Sequence, residues 1–110
     1  MRILRDADSG ISAFREAIRN DPEYAPAFVN LGKAYFKKRD MDAAVQEFRV
    51  AEHLSRASLK AESNLLFATA LMETGRTDDA IEQFKLAISK NPELDQAYYL
   101  LADLLWKQGR

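Results

Sequence analysis

The sequence predicts an all-α fold made of αα-hairpins, a repeat solenoid of about six helices. Three observations predict it. Apolar residues recur at helical spacing along most of the chain, no segment shows the period-two alternation of a strand, and similar helical segments return after 34 to 36 residues. The 110 residues are 47% hydrophobic and 30% charged, which is ordinary for one domain with an apolar core.

The clearest unit of this pattern runs from Phe28 to Ala51. Each half carries one apolar helical stripe, and the polar pair Arg39-Asp40 separates the halves. The first stripe is Phe28, Leu31, Gly32 and Tyr35, and the second is Ala44, Phe48 and Ala51. Neither helix can bury its stripe alone, so the two are predicted to pack against each other as an αα-hairpin.

Before this unit, one helix is predicted over Gly10–Arg19. It should end at about Asn20, because the following Pro22 cannot continue a helix and restricts the residue before it. Met1–Leu4 is expected to be only the tail of a different helix.

After this unit, similar patterns predict helices over Ser63–Thr74, Asp79–Ile88 and Ala97–Lys107. The stop and start signals between helices are Gly75, which suits a left-handed C-terminal cap, and three predicted N-caps, Asp40, Ser58 and Thr77. The Phe14-to-Phe48 step is 34 residues and the Phe48-to-Phe84 step is 36. The two extra residues predict a wider turn or a longer helix near Leu54–Leu59.

These repeats resemble the tetratricopeptide (TPR) family, whose pattern is W-x2-L-G-x2-Y, then A-x3-F and P. In the first full unit the matching residues are Leu31, Gly32, Tyr35, Ala44 and Phe48, with Phe28 in place of Trp and Arg56 in place of Pro. In the second unit Ala80, Phe84 and Pro92 match, whereas Asn64, Phe67 and Ala68 depart. The resemblance implies one right-handed superhelical domain over residues 1–110. Its parts are a half repeat at about 1–22, full repeats at about 25–58 and 61–94, and a half repeat at about 95–110.

Residue types that would support catalysis or cofactor binding are sparse. The chain has no Cys and one His, and His53 has no partner residues at metal-ligand spacing. Asp78-Asp79 suits the first turn of a helix, and Lys37-Lys38-Arg39 suits a helix end. We therefore predict no enzyme, no cofactor and no metal.

The net charge is −1 with both signs interspersed, so no nucleic-acid partner is expected. No apolar run approaches the roughly 18 residues of a membrane span, so no membrane partner is expected. The N-terminus shows no secretory h-region, so the predicted location is cytoplasmic.

Members of the TPR family bind extended or helical peptides on a concave face lined by the first helix of each repeat. The resemblance therefore implies a protein-binding scaffold. The matching positions here are Val29, Lys33, Phe36, Leu65, Thr69, Met72, Tyr99, Asp103 and Trp106. Because the centre of this predicted groove is apolar, we expect a mainly apolar peptide or helix as partner. The alternative is that some of these side chains pack between adjacent repeats.

One known activity of the family is not expected here. Members that grip chaperone C-terminal carboxylates use Lys and Asn one turn apart, then Asn, then Lys and Arg one turn apart. The matching places hold Val29 and Lys33, then Leu66, then Gln96 and Leu100. Since only Lys33 is basic, a carboxylate clamp is not predicted.

In this register the chain begins with the second helix of one repeat and ends with the first helix of another. One interpretation is a piece of a longer array, and a regulatory segment of a larger enzyme or receptor stays open beside it. The other is a homo-oligomer, in which the Phe14-bearing helix of one copy follows the Trp106-bearing helix of the next. The residues predicted for this self-association are Phe14, Tyr98, Leu101 and Leu105.

Overall fold

The computed structural model describes the backbone of residues 2–109 and the side chains of residues 7–109. This part of the chain contains six α-helices and no strand. They are α1 (Arg2–Asn20), α2 (Ala25–Lys37), α3 (Met41–Leu54), α4 (Ala61–Glu73), α5 (Thr77–Lys90) and α6 (Asp95–Lys107), with a 3-10 turn at Arg56–Ser58. The predicted all-α fold of repeated αα-hairpins is confirmed.

The helices form two compact units, Met1–Leu59 and Lys60–Arg110. In the first unit α2 packs against both α1 and α3, and in the second α5 packs against both α4 and α6. The finer division into half and full repeats stays a prediction.

Each complete hairpin pairs a small residue on its first helix with a buried phenylalanine on its second. In the first unit, a Cβ added at Gly32 would lie 2.9 Å from ring carbons of Phe48. In the second unit Ala68 and Phe84 hold the corresponding places, and both side chains are fully buried. Small residues are needed here because any larger side chain would push the two helices apart.

Three helices, α2, α4 and α6, are each followed two residues on by a left-handed residue. The φ angles are 65° at Arg39, 81° at Gly75 and 77° at Gly109. After α4, the N–H of Arg76 donates to the carbonyl of Leu71 at 2.8 Å, which is the long bond of the Schellman motif. The predicted left-handed cap at Gly75 is confirmed.

The N-terminal caps agree less well with the predictions made from the sequence. Asp40 is confirmed as the N-cap of α3, since its carboxylate accepts from the N–H of Ala43 at 3.3 Å. The prediction for Thr77 is wrong, because Thr77 is the first helical residue of α5 and Arg76 is the N-cap. The carbonyl of Arg76 already accepts the first helical bond, from Ala80 at 3.0 Å, so the helix starts one residue early.

The wider turn predicted between α3 and α4 is present as the 3-10 turn. The prediction of Ser58 as an N-cap is wrong, because its hydroxyl donates to the carbonyl of Ser55 at 2.7 Å inside that turn. Lys60 occupies the N-cap of α4 and makes no side-chain capping bond.

The first helix is longer than the sequence predicted. It runs without interruption from Arg2 through Gly10 to Asn20, so the idea that Met1–Leu4 ends a different helix is wrong for Arg2–Leu4. The physical reason is that no proline occurs in residues 2–9, and a single Gly such as Gly10, even after Ser9, weakens a helix without necessarily ending it. Met1 itself lies outside the described residues.

Candidate functional site

The face of α6 that carries Tyr99 and Trp106 is the most exposed aromatic surface in the described part of the chain. The residues lie two turns apart on one side of the helix, and they are 70% and 81% exposed. Between them lies Asp103, whose carboxylate is 3.1 Å from the ammonium of Lys107. Two large exposed rings beside an ion pair have the composition of a protein-binding surface.

The predicted groove residues of α4 are more covered. Leu65 is buried, so it offers almost no contact surface, contrary to its expected place in the apolar centre of the groove. Thr69 is half-buried, and its hydroxyl donates to the carbonyl of Leu65 at 2.9 Å. Met72 is half-buried near the end of the helix. Of the three predicted groove residues on α4, therefore, Thr69 and Met72 keep side-chain surface for a partner and Leu65 does not.

The predicted residues of α2 divide in the same way. Val29 is buried, because a helix packed against both α1 and α3 buries more than one stripe. Lys33 is exposed, and Phe36 is half-buried with the guanidinium of Arg39 6.0 Å from its ring centroid. The stacking of all nine residues into one surface stays a prediction, since they belong to two separate units.

A hollow of about 400 Å³ lies between α1 and α2. The α1 residues that line it carry no polar side chain, and its α2 side carries two lysines. The lining residues are Ala7, Gly10, Phe14, Asn30, Lys33, Ala34 and Lys37. Just outside it, the ammonium of Lys38 lies 2.6 Å from the carboxylate of Asp8, and this bond raises the pKa of Lys38.

A second, more polar depression of about 390 Å³ lies at the end of α3, around Glu52, His53 and Arg56. Across the described residues there is no group of three or more His, Cys, Asp or Glu placed to hold a metal ion. Over the same range, no helix is both long and apolar enough to cross a membrane.

Sequence reasoning missed a buried polar network in the second unit. The amide nitrogen of Asn64 donates to the side-chain carbonyl of Gln83 at 2.9 Å, and the ammonium of Lys90 donates to the amide oxygen of Asn64 at 2.8 Å. Asn64 and Gln83 are both buried. The corresponding places one repeat earlier hold Phe28, Glu47 and Leu54, so the joint change of all three residues was the available signal.

Glu47 itself occupies the place of that glutamine in the first unit. Partial burial on α3 raises the pKa of its carboxyl, and the nearby guanidinium of Arg15 opposes the shift. Arg15 also donates to the hydroxyl of Tyr35, with its guanidinium 5.9 Å from the ring centroid. These polar contacts connect all three helices of the first unit.

Repeated αα-hairpins, each with a small residue on its first helix and a buried phenylalanine on its second, define a helical-repeat protein. A tetratricopeptide-repeat profile matches residues 4–58, and a TPR-repeat profile matches residues 68–109. The chain belongs to the tetratricopeptide repeat family.

Two curated relatives are the Hsp70-Hsp90 organizing proteins 1 and 2 of Arabidopsis thaliana. Each is 28% identical over 79 residues, which is 72% of this chain and 14% of the relative. The chain therefore matches only a small part of the relatives' length.

Solved structures show the same fold. A crystal structure of MamA superposes with a TM-score of 0.87 at 24% identity, covering 98% of this chain and 62% of that one. A thermophilic TPR protein of Thermus thermophilus superposes with a TM-score of 0.67 at 24% identity, covering 91% and 50%. The fold class predicted from the sequence, an αα-hairpin repeat solenoid, is confirmed. Family and relatives together support a protein-interaction scaffold, a role that TPR proteins typically fill without catalysis.

Proposed function

We propose that this chain is a non-enzymatic scaffold that binds a mainly apolar peptide or helix of a partner protein. In the second unit the binding surface is the α6 face of Tyr99, Asp103 and Trp106, with Thr69 and Met72 of α4 as further candidates. In the first unit it is the exposed side of α2 around Lys33 and Phe36. The observation that carries the proposal is the exposure of Tyr99 and Trp106, 70% and 81%, on one helix face.

The size of these rings sets a limit on how they act. Covering both would remove roughly 300 Å² of surface, worth up to about 7 kcal/mol before the costs of association. Because those costs are of similar size, two rings alone give weak binding. The partner must therefore also cover neighbouring surface, with Tyr99 and Trp106 as anchors rather than as the whole interface.

The ion pair beside the rings favours an apolar centre over a charged one. Lys107 already lies 3.1 Å from Asp103, so it has a carboxylate partner within the helix. An acidic chaperone tail is not expected, because the positions matching the clamp carry a single basic residue, Lys33.

The cytoplasmic location also stays a prediction.

Trp106 provides a direct assay, because it is the only tryptophan in the chain and is 81% exposed. We would select binders from a displayed library of amphipathic helical peptides and titrate the best one as a synthetic peptide. Burial of the indole should shift its emission to shorter wavelength. Tyr99→Ala should weaken binding of that peptide roughly 30-fold, the effect of losing an aromatic anchor.

The matched control is Tyr24→Ala, which removes an exposed aromatic ring just before α2 in the other unit. Its affinity should equal that of the unchanged chain. A selected peptide that binds with no change in Trp106 emission and equal affinity for the Tyr99→Ala variant would refute this surface. A peptide with an acidic free carboxyl terminus, binding more tightly than its amidated form, would instead indicate a clamp.

A further inference from the structure

The turn that follows α3 differs from the turns that follow α1 and α5. After α1 the chain continues with Asp21-Pro22-Glu23, and after α5 with Asn91-Pro92-Glu93, so each of these turns contains a proline and an acidic residue. After α3 it continues with Ser55-Arg56-Ala57-Ser58, which contains neither. The departure from the family's pattern at this turn therefore changes both its length and its charge.

A polar depression of about 390 Å³ lies beside this turn. It is lined by the last turns of α3 and the residues that follow, namely Arg49, Glu52, His53, Leu54, Ser55 and Arg56. The three basic residues of this set are all exposed, and the first two are four positions apart, which places them on one side of α3. They outnumber the single acidic residue, although the chain as a whole has a net charge of −1.

Hydrogen bonds and one buried side chain hold the turn that carries Arg56. The N–H of Ser55 donates to the carbonyl of Ala51 at 2.9 Å, and the hydroxyl of Ser58 donates to the carbonyl of Ser55 at 2.7 Å. At the end of the turn, Leu59 is 1% exposed. A ligand at this turn therefore meets a backbone that is already ordered, and two of the nearby carbonyl oxygens already have donors.

We propose that this depression binds a phosphate group. A guanidinium carries several N–H donors in a planar fork that matches phosphate oxygens, so Arg49 and Arg56 can each bind the ligand and still keep a contact within the chain. The imidazole of His53 adds a third donor. A phosphate suits the site better than a carboxylate, because it has enough oxygens for all three side chains.

The end of a helix offers a simpler explanation for the basic residues, since cations are favoured at the negative end of the helix dipole. The two explanations differ in the effect of Glu52. If the basic residues bind phosphate, the carboxylate of Glu52 repels the ligand, and removing its charge should increase the affinity. If they only stabilise the end of α3, substitutions here should change the stability of the fold without a phosphate-dependent effect.

His53 provides a direct probe, because it is the only histidine in the chain and lines the depression. We would titrate inorganic phosphate into the protein at constant pH and ionic strength and follow the ring protons of His53 by NMR. They should shift and reach saturation at millimolar phosphate. A parallel titration with chloride should leave them unchanged.

Three substitutions test which groups hold the ligand. Arg49→Gln and Arg56→Gln should each weaken phosphate binding about tenfold, the effect of losing one charge-assisted contact at an exposed site. Glu52→Gln should strengthen binding about threefold. This gain is the sharpest part of the test, because a damaged fold would not produce it.

The matched controls remove equivalent charges elsewhere. Arg19 lies 34 residues before His53, Lys85 lies 36 residues after Arg49, and both are exposed and outside the lining of the depression. Arg19→Gln and Lys85→Gln should therefore bind phosphate like the unchanged chain. Circular dichroism confirms that every variant is folded.

The phosphate group can belong to the free ion or to a phosphorylated side chain of a partner, and a second titration separates these sources. A short phosphoserine peptide is compared with inorganic phosphate and with the unphosphorylated peptide. Tighter binding of the phosphoserine peptide than of inorganic phosphate would identify a phosphorylated partner. Equal affinities would identify the free ion.

Three outcomes would overturn the proposal. The first is a His53 signal that responds to phosphate no more than to chloride. The second is a loss of stability in Arg49→Gln and Arg56→Gln with unchanged phosphate affinity, which would assign both residues to the end of α3 alone. The third is an equal weakening by Arg19→Gln or Lys85→Gln, which would show a response to overall charge.

Discussion

Replacing Asn64 by alanine removes the central member of the buried network that joins α4 to α5. The substitution deletes the 2.9 Å bond to Gln83 and the 2.8 Å bond from Lys90 at once. Asn64 is 1% exposed, so water cannot replace the lost amide without entering the core. We expect a marked loss of stability, although the substitution removes hydrogen bonds and not a large apolar side chain.

The magnitude follows from the two bonds. A neutral amide–amide hydrogen bond contributes about 1 kcal/mol, and a bond from a charged donor about 1.5–3 kcal/mol. The lower end applies to Lys90, because that residue is exposed and its ammonium is partly solvated. Asn64→Ala should therefore lower the free energy of unfolding by about 2.5 kcal/mol, which corresponds to a decrease in Tm of about 10 °C.

Urea unfolding followed by circular dichroism measures this loss. Lys90→Met is the matched variant, because it keeps most of the aliphatic chain and removes only the ammonium. The double variant should cost less than the sum of the two single costs by about 1.5 kcal/mol, the energy of the bond that Asn64 and Lys90 share. A cost for Asn64→Ala below about 0.5 kcal/mol, or full additivity, would refute the network as a source of stability.

Two further predictions concern backbone strain and pH. Arg39 and Gly75 adopt left-handed φ angles of 65° and 81°, which glycine tolerates better than other residues. Arg39→Gly should therefore raise the free energy of unfolding by about 0.5–1 kcal/mol, and Gly75→Ala should lower it by a similar amount. Urea unfolding in which both substitutions change the stability in the same direction would contradict this. Because burial raises the pKa of Glu47, its ionisation opposes folding, so the stability it contributes is present below its unfolded pKa and is lost as pH rises through its folded pKa. Glu47→Gln should therefore raise Tm at neutral pH relative to the unchanged chain and change it little in acid; a Tm gain that is the same at both pH values would contradict that reasoning.

Spacing along the chain was enough to predict the local features of this protein. Helical periodicity predicts where the helices lie, and Pro22 and Pro92 mark two of the turns between them. The repeated small residue and phenylalanine predict which residues face each other within a hairpin. These features were predictable because each one involves residues within a single repeat. The long first helix was missed because the lack of a stop signal is weaker evidence than its presence.

The candidate site was predictable in outline only. The spacing correctly placed Tyr99 and Trp106 on one helix face, but it could not show that Val29 and Leu65 are buried. How exposed a helix face is depends on how many neighbours the helix has, and that number is a property of packing rather than of sequence period.

Which polar and apolar groups find partners became visible only in the folded chain. Folding brings together Asn64, Gln83 and Lys90, which are 19 and 26 residues apart in the chain measured from Asn64. It also buries Phe48 and Phe84 completely within their hairpins. Local spacing fixes which residues share a helix face, whereas burial and hydrogen bonding depend on the helix that packs across from that face.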